Sequence, residues 1–410
     1  MREMKNSGVE WIGYIPKNWS ITKIKYFYDC YDGRRVPVDA ARRSRGPYPY
    51  WGAGSITDYV DQYLFDEELV LLGEDGAPFF DYTRPVAFLI NEKIWVNNHI
   101  HVLKPKVSVN SRFFVHWLNN VDYRSYINGS ILNKLTQSNM DNIAFAAPPL
   151  EEQRIIADFL DTECARIDAV IEQTRASIEE YKKLKQSVIT QAVTKGILPN
   201  RPMKDSGIEW IGEIPENWQV RRIKTLFQLR DEKNYLPLEE VNLISLYTDK
   251  GVVQHCDLEQ TTGNKASTAD GYKKVYENDI VVNIILCWMG AIGRSAYTGV
   301  TSPAYDIYIP SDDIECRFYH HYFRTKGFSG DCYKRGKGIM AMRWRTYSDQ
   351  FRDIPVVMPP KEEQQEILTY LDAKTVEIEK LIAKKEEFLA EMESYKKSVI
   401  FEYVTGKKEV

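Results

Sequence analysis

The feature that most constrains this 410-residue sequence is that it repeats itself. Residues 4–19 read MKNSGVEWIGYIPKNW and recur at 203–218 as MKDSGIEWIGEIPENW, with twelve of sixteen positions identical. A second echo pairs PPLEEQ at 148–153 with PPKEEQ at 359–364. Such self-similarity is the sequence mark of a repeated architecture. The chain is therefore a tandem duplication and has to fold into two related halves.

The repeated flanks enclose two long middles, 20–147 and 219–358, that show little similarity to each other. Each middle mixes strand-like apolar runs with one late helical stretch, near 111–127 in the first and near 316–328 in the second. The strand-like runs are 68–73, 85–90, 241–246 and 279–285. This mixture predicts an α+β (mixed α/β) globular module in each half. We infer that the flanks do one job twice, while the middles do two versions of another.

Each Pro-Pro pair is followed by a pattern typical of a long amphipathic helix. Two glutamates suit the first turn of such a helix, and Gly196 with Pro199 ends the first one. Apolar residues then alternate at spacings of four and three, which is a coiled-coil seam. The residues assigned to this seam and to partner docking are Leu160, Ile167, Ile171, Ile178, Tyr181, Val188, Leu371, Ile378, Ile382, Leu389, Met392 and Val399. Lysines at 185, 385 and 396 interrupt it.

A helix of about 45 residues is on the order of 65–70 Å long, and a narrow apolar seam of that length needs a partner. We expect the two helices to form an intramolecular antiparallel coiled coil with pseudo-twofold symmetry. The alternative is two independent amphipathic helices, each packed on its own domain. The predicted divisions are globular domains at 1–149 and 197–360, with long helices at 150–196 and 361–410 as spacer and docking regions.

Composition narrows the class of protein. With 43% hydrophobic and 27% charged residues, the chain is typical of globular proteins. No apolar run approaches the ~20 residues of a membrane span and none follows the first residues, so we expect no membrane association, no secretory signal and a cytoplasmic address. The six scattered cysteines are expected to be free thiols. The pairs His99/His101 and His320/His321 lack acidic or cysteine partners at ligand spacing, so no metal site is predicted.

The net charge of −4 does not favour nucleic acid, but the basic residues are clustered. Residues 332–345 hold five bases and no acid, while 128–139, at the matching place in the first half, are rich in amides and hydroxyls. Arginine suits guanine edges, Asn and Gln suit adenine edges, and lysine or a hydroxyl suits phosphate. The candidate DNA contacts are Arg34, Arg35, Arg42, Arg43, Tyr48, Asn128, Ser130, Lys134, Gln137, Ser138, Lys334, Arg335, Lys337, Arg343 and Arg345. For each cluster alone, a solvated surface loop is the competing interpretation.

Motifs of covalent chemistry are missing from the sequence. There is no GxxxxGK[ST] phosphate loop, no HExxH and no GxSxG. The residues before the two Pro-Pro pairs, Ala147 and Met358, do not match an adenine methyltransferase signature. The acid pairs 74–75 and 312–313 are interpreted as loop or cap residues. We expect no catalytic residues and no cofactor.

This arrangement resembles the specificity subunits of Type I restriction-modification systems. The likeness extends from end to end and rests on the SGxEWIGxIPxxW segments at 7–19 and 206–218 and on the PPxEEQ segments at 148–153 and 359–364. The resemblance implies a non-catalytic subunit in which each middle is a target-recognition domain for one half of a bipartite, asymmetric sequence in double-stranded DNA.

The resemblance also implies partners. The paired helices would separate the two recognition domains and dock two methyltransferase (modification) subunits, which restriction/translocase subunits join in the larger complex. DNA methylation at the recognised site would then be the work of those partners. The alternative from another class is a cytoplasmic scaffold with two protein-binding modules spaced by a coiled coil, and a DNA enzyme with an unrecognised site is a third. A strongly salt-dependent affinity for DNA separates the first from the second.

Overall fold

The duplicated segments fold into the same set of elements twice. The computed structural model describes residues 2–81, 83–128, 133–255, 268–338 and 344–410. The chain divides into unit 1, which comprises Met1–Ala176 and Lys385–Val410, and unit 2, which comprises Ser177–Lys384. These units divide both long helices near their middles, whereas the boundaries proposed from the sequence divide the chain by element.

Unit 1 is built from short strands and two short helices beside its parts of the long helices. Its strands are β1 (Met4–Asn6), β2 (Tyr14–Pro16), β3 (Ser20–Lys23), β4 (Tyr28–Cys30), β5 (Tyr48–Trp51), β6 (Ile56–Val60), β7 (Phe65–Asp66), β8 (Leu69–Gly73), β9 (Ala87–Ile90), β10 (Lys93–Val96), β11 (Ile100–Pro105) and β12 (Ala144–Ala147). Its helices are α1 (Ser111–Leu118), α2 (Gln137–Asp141) and the first part of α3 (Leu150–Lys195).

An antiparallel sheet of order β4-β11-β8-β9 forms the centre of unit 1, and a second sheet has the order β6-β5-β10-β7. Strand β8 is buried along its whole length, as a continuous apolar run requires. On one side of the central sheet, α1 buries Phe113, Phe114 and Trp117 in the main core. On the other side, β8 residues Leu69 and Leu71 join the core of the second sheet. The first middle is thus a two-core module.

Unit 2 has the corresponding elements in the same order. Its strands are β13 (Met203–Asp205), β14 (Glu213–Pro215), β15 (Gln219–Arg222), β16 (Phe227–Leu229), β17 (Ile244–Tyr247), β18 (Gly251–Gln254), β19 (Lys273–Val275), β20 (Ile280–Asn283), β21 (Ile292–Arg294), β22 (Gly299–Thr301), β23 (Tyr305–Pro310) and β24 (Pro355–Met358). Its helices are α4 (Ile223–Leu226), α5 (Cys316–Phe323), α6 (Lys326–Arg335), α7 (Ser348–Arg352) and the first part of α8 (Lys361–Val404).

The central sheet of unit 2 has the antiparallel order β16-β23-β20-β21, which repeats the arrangement in unit 1. Helix α5 buries Phe318, Tyr319, Tyr322 and Phe323 in the main core. The pairs β17–β18 and β19–β22 stand where unit 1 has its second sheet. The predicted mixed α/β class is confirmed, and so are the four predicted strands: β8, β9 and β20 fall within the predicted runs, and β17 overlaps the run 241–246 and ends one residue beyond it.

The repeated flanks make the same contacts in both units. In unit 1, Arg2 lies over the Trp19 ring, 5.6 Å from its centroid, and pairs with Glu152 at the start of α3. In unit 2, Arg201 lies 5.7 Å from the centroid of Trp218 and pairs with Glu363. Each opening motif is therefore fastened to the first turn of a long helix by an arginine, a tryptophan and a glutamate.

The glutamine of each PPxEEQ segment caps the start of its own helix. The Gln153 side chain donates to the Pro148 carbonyl at 3.0 Å and accepts from the Asn110 backbone N–H at 2.8 Å. Gln364 makes the equivalent bonds, at 2.9 Å to the Pro359 carbonyl and 2.9 Å from the Glu315 N–H. Because both glutamines are buried, these bonds satisfy groups that water cannot reach.

Helices α3 and α8 pair antiparallel within each unit, as predicted. In unit 1, Phe159 packs on Tyr403 with 4.4 Å between ring centroids, while Arg175, later in α3, donates to Glu393, earlier in α8. The seam positions assigned from the sequence are buried or half-buried along both helices. The alternative of two independent amphipathic helices is therefore wrong.

Two of the lysines that interrupt the seam reach across it to an acid on the other helix. Lys185 of α3 pairs with Glu379 of α8 in unit 2, and Lys396 of α8 pairs with Asp168 of α3 at 2.6 Å in unit 1. The offset of 211 residues that aligns the repeats relates Lys185 to Lys396 and Asp168 to Glu379. The same ion pair therefore interrupts the seam in both repeats. A polar residue in a seam can specify the register of the two helices.

Two predicted segments need correction. The helix expected near 111–127 ends at Leu118, and a 3-10 turn at Tyr123–Ser125 follows. The segment 332–345, expected to be an irregular loop, begins as the last turn of α6, which ends at Arg335. Thr325 starts this helix by accepting a hydrogen bond from the Phe328 N–H, an N-cap that a sequence dominated by aromatic core residues obscured.

None of the helices in the described ranges is long and apolar enough to cross a membrane.

Candidate nucleic-acid interface

Two loops occupy equivalent places in the two units and are closed in the same way. In unit 1, the backbones of Asn128 and Lys134 exchange two hydrogen bonds of 2.9 Å. In unit 2, Lys337 and Arg345 exchange two, of 2.9 and 3.0 Å. We call residues 128–134 loop 1 and residues 337–345 loop 2. The candidate contacts Ser130 and Arg343 lie outside the described residues.

Each loop leads into a short helix and then into the strand before a long helix. Thr136 caps α2 by accepting from the Asn139 N–H at 3.3 Å. The predicted contacts Gln137 and Ser138 are exposed in the first turn of α2. After loop 2, α7 begins at Ser348. The sequence therefore indicated a loop at the matching place in each unit, although residues 137–139 belong to α2 and 332–335 to α6. The two units present the loops from matching scaffolds.

The base of loop 1 is acidic, which the sequence did not indicate. The Lys134 ammonium lies 3.2 Å from Glu74 and 3.6 Å from Asp75, although Lys134 itself is half exposed. Its hydrogen bond to Glu74 raises the pKa of Lys134 above its ordinary value. The Glu74 carbonyl also accepts from the Leu135 N–H at 2.7 Å. Lys134 is thus held by its own protein before any phosphate approaches.

Behind Lys134 the charged network continues into the protein. Arg35 donates to Glu74 at 2.6 Å and to the Ile100 carbonyl at 2.9 Å, and its guanidinium lies 3.4 Å from Asp32. Asp32 in turn bonds to Nδ1 of His101. Arg35, predicted to contact DNA, therefore serves inside unit 1.

His101 ends this network under loop 1. Its Nε2 lies 2.8 Å from the Leu135 carbonyl, next to the residue that closes the loop, and its side chain is only 1% exposed. Both ring nitrogens face acceptor oxygens, and an imidazole donates to both only when it is doubly protonated. We call Asp32, Arg35, Glu74, His101 and Lys134 the loop 1 network.

Three side chains of this network also satisfy a test for metal ligands. One ligand atom from each of Asp32, Glu74 and His101 falls within 4.8 Å of the others. The sequence argument against a metal rested on spacing along the chain, and folding brings in these two carboxylates from a distance. The Arg35 and Lys134 cations already contact these carboxylates, so the donor set is satisfied as an ion-pair network.

Neutral and aromatic groups support loop 2. Thr346, just after the loop, is buried and donates its backbone N–H to the Ile284 carbonyl and its hydroxyl to the Cys332 carbonyl, both at 2.9 Å. The Trp344 ring stacks on Tyr333 with 5.0 Å between centroids and an angle of 24°. The indole also covers Gly336, where a Cβ atom would lie 2.2 Å from the ring. Gly336 is thus needed for this stack.

The basic residues around loop 2 are more available than those of loop 1. Lys337 and Arg345 are exposed, and Arg335 is half-buried at the end of α6. Lys334 pairs with Glu209 at 2.7 Å on the surface, and this hydrogen bond raises the pKa of Lys334. An exposed pair of this kind contributes little in water, so phosphate can displace it.

The arginine cluster of the first half is split between structural and exposed roles. Arg34 stacks on Tyr31 at 4.7 Å, and Arg43 lies 4.1 Å from the Tyr50 centroid while donating to Asp58 at 3.3 Å. Arg42 is exposed, and its side chain has no hydrogen bond or ion pair to any described residue. Tyr48 packs edge-on against Tyr63 at 5.1 Å. Arg42 is therefore the member best placed for a ligand.

The residues assigned to partner docking form the helix seam. Leu160 and Leu371 are completely buried, and Ile167, Ile171, Ile178, Ile378 and Val399 are at most 6% exposed. Tyr181, Val188, Ile382, Leu389 and Met392 are half-buried. These side chains hold the helices together, so a docking protein would contact the outer faces of the helices.

Some residues around the two loops had no signal in the sequence. Asp32, Glu74 and His101 are far apart in the chain, and only the central sheet brings them together. Trp288 and Met289 lie beside α6, with the Trp288 ring 5.7 Å from Tyr333. For Trp288 and Met289, the only hint in the sequence was the interleaving of aromatic and basic residues in 332–345, the segment that they lie beside.

Comparison with known proteins adds a family to this geometry. Residues 16–180 and 215–387 match the sequence model of the Type I restriction modification DNA specificity domain, once in each half. A Haemophilus influenzae protein assigned as a type I restriction enzyme specificity subunit is 25% identical over 344 residues, covering 82% of this chain and 83% of its own.

Two further relatives are similar over most of their lengths. The Escherichia coli type I restriction enzyme EcoDI specificity subunit is 22% identical over 391 residues, or 87% of this chain and 81% of its own. A solved chain from a study of complex assembly and conformational transition of the type I R-M system superposes with a TM-score of 0.67. It covers 96% of this chain and 99% of its own at 13% identity. This last likeness shows a shared fold.

Proposed function

Because this chain belongs to the Type I restriction-modification DNA specificity family, matched in both halves, we propose that it reads a bipartite target in double-stranded DNA. Each middle reads one half-site and the repeated flanks carry both readers. The chain performs no covalent step of its own. It directs two methyltransferase subunits, and through them restriction/translocase subunits, to the recognised site.

One observation carries this proposal. Two loops that share a scaffold position and a backbone closure differ completely in side chains, as two readers of unlike sequences must. Loop 2 offers Lys337 and Arg345 to phosphates or guanine edges, and loop 1 offers Asn128 with the exposed Gln137 and Ser138. A duplicated enzyme would repeat its side chains, whereas a duplicated reader varies them.

The first half-site contacts that we propose are Asn128, Ser130, Lys134, Gln137, Ser138 and Arg42, and the second half-site contacts are Lys334, Arg335, Lys337, Arg343 and Arg345. Arg34, Arg43 and Tyr48 contribute through the surface that they shape. Substituting Arg345 with alanine, if it pairs with a guanine, should cost about 1–3 kcal/mol and relax one base position.

The deciding experiment maps methylated adenines in a host that carries this chain with its partner methyltransferase. We expect a split motif with a fixed spacer, absent when the chain is deleted. A scaffold with two protein-binding modules predicts no motif that depends on this chain. Binding of the reconstituted complex to DNA should also weaken steeply with salt, as counterion release requires.

A further inference from the structure

A concave pocket of about 470 Å³ lies beside loop 2 in unit 2. Its floor is one face of α6, because Lys326, Ser329, Gly330 and Tyr333 follow each other at helical spacings of three and four. Gly330 leaves the centre of this floor bare, since a Cβ atom there would meet nothing within 4 Å. The pocket is therefore open over a helix that carries a cation at one end and an aromatic ring at the other.

The wall of the pocket is formed by Trp288 and Met289, which end a 3-10 turn beside α6. Met289 is 54% exposed and Tyr333 is 51% exposed. Large apolar groups grouped in this way around a concavity mark a binding site. Tyr333 also carries the stacked ring of Trp344, the neighbour of the residue that closes loop 2. The pocket is therefore in contact with loop 2 through the stack of Tyr333 on Trp344.

The charges around the pocket favour an anionic, flat ligand. Lys326 is exposed at the rim, seven residues and about 10 Å along the helix from Tyr333. Arg324 at the far end donates to the carbonyls of Thr248 and Asp249, both at 2.9 Å, so it shapes the wall. Asp331 accepts from the Trp210 indole at 2.6 Å and does not line the pocket.

We propose that this pocket takes one nucleotide of the second half-site, with its base turned out of the helical stack. The base stacks on Tyr333 beside Trp288, and its phosphate meets Lys326. Every base has a π-face, so stacking tolerates sequence, while the bend that frees a base favours flexible pyrimidine–purine steps. The inference rests on the proposed function and adds this pocket to the parts of the chain that recognise the second half-site.

The test fills the pocket without touching its cation or its rings. In G330L, the new side chain occupies the bare floor in a helical position where leucine is well tolerated. The matched control G330A adds only a methyl group and should raise the melting temperature slightly, because alanine favours helix over glycine. Both variants are assayed in the complex with the partner methyltransferase.

The probes are target duplexes that carry 2-aminopurine at successive positions of the second half-site. With the wild-type complex and with G330A, we expect the emission to change at one position and not at its neighbours. With G330L, that change should disappear and the affinity for the target should fall at least tenfold, while the methylated first half of the motif is kept.

Two results would overturn the inference. One is wild-type affinity and an unchanged emission pattern in G330L. The other is a uniform, unresponsive emission across the second half-site in the wild-type complex, because the duplex would then pass over the pocket intact. Either result with normal split-motif methylation leaves the proposed function in place, whereas loss of the motif in wild type refutes the function itself.

Discussion

Loop 1 and loop 2 have the same backbone closure on equivalent scaffolds, and their supports differ in chemistry. Loop 1 is supported by buried charged groups. Glu74 forms ion pairs with both Arg35 and Lys134, and His101 is hydrogen-bonded to the Leu135 carbonyl beside the loop. Loop 2 stands on ring stacking and on the neutral hydrogen bonds of Thr346. The repeated flanks keep one architecture, while each middle has found its own way of fixing its loop.

The difference has consequences for tolerance to change. A buried ion pair that loses one partner leaves an unpaired charge, which is strongly destabilising, whereas apolar packing accepts substitutions of similar volume. Loop 1 should therefore be sensitive to single isosteric changes, and loop 2 should not. Both supports lie inside their own middle, since residues 32–135 and 284–346 contain every group involved. Each reader is thus self-contained.

Exchange of a whole middle should have the largest effect. We expect that replacing residues 20–147 by the corresponding region of another family member changes the first half of the methylated motif completely and leaves the second half unchanged. The loop 1 network travels with the exchanged piece, so the fold is kept. Methylation mapping reads both halves in one experiment. A change in both halves would show that the readers are not independent.

A single change in the loop 1 network should come next. Glu74→Gln removes the carboxylate that both Arg35 and Lys134 contact, and should lower the free energy of unfolding of unit 1 by about 3 kcal/mol. It should also relax the first half of the motif and not the second. Urea unfolding and methylation mapping measure the two effects.

The matched control for Glu74 is Glu67, which also contacts two cations, Arg34 at 3.4 Å and Lys104 at 3.1 Å, but in a more exposed place. Glu67→Gln should change the free energy of unfolding by less than about 1 kcal/mol and leave the motif intact. Equal effects of the two substitutions would contradict the claim that loop 1 depends on its buried charges.

The sequence allowed accurate prediction of the repeated parts, because they depend on local signals. Two prolines start each long helix and heptad spacing defines its seam, so twelve seam positions could be assigned, of which seven are buried and five half-buried. The strands followed from apolar runs. The end of α1 and the start of α6 were misjudged because boundaries depend on caps and on tertiary packing.

The surroundings of the loops could be predicted only in part. Basic clusters located loop 2, but no local rule pairs Arg35 with Glu74 or places Asp32 under His101. Asp32 and Arg35 follow β4, Glu74 follows β8 and His101 lies in β11, so only the pairing of these strands brings the partners together. Arg35 was therefore misassigned to a surface role, since its burial follows from sheet topology. Charge content predicts where cations are, and folding decides which of them remain available.

Two buried histidines, His320 and His321, make unit 2 sensitive to acid pH. The His320 Nδ1 accepts from the Arg294 N–H at 3.1 Å, so its neutral form is bound. Burial, with nearby cations, lowers the pKa of His320 to about 3, and burial lowers that of His321 to about 4. In the unfolded chain both titrate near 6.5. The unfolded state therefore binds more protons below that pH, and the stability of unit 2 falls as the pH drops from about 6.5 to 4.

We expect the free energy of unfolding of unit 2 to change by at most about 1.4 kcal/mol per pH unit for each of these two histidines. Hydrogen exchange measured between pH 4.5 and 7 should show unit 2 opening more readily as the pH falls. His321→Gln should reduce the slope in unit 2. A slope that this substitution leaves unchanged would assign the acid sensitivity to other groups.

The smallest effect on stability is expected for the ion pairs across the helix seam, which are the same in both units. Lys185 with Glu379 and Lys396 with Asp168 are the same pair in two repeats, and both lysines are about 30% exposed, at 27% and 29%. Partly exposed pairs contribute about 0–1 kcal/mol, and salt weakens them. Double-mutant cycles that combine Lys→Met with Glu379→Gln or Asp168→Asn should give equal coupling energies in the two repeats.

Each Lys→Met variant should unfold within about 1 kcal/mol of the wild type, because an apolar seam residue replaces the lysine stem. The variant that combines Lys185→Met with Lys396→Met should keep its stability, but it lacks both of the charged seam residues that can specify the register of the helices. Cysteine crosslinking across the seam at the positions of Phe159 and Tyr403, whose rings pack together in unit 1, would then give mixed products instead of one. If it gives one product, apolar packing alone sets the register, and the paired lysines only keep the seam soluble.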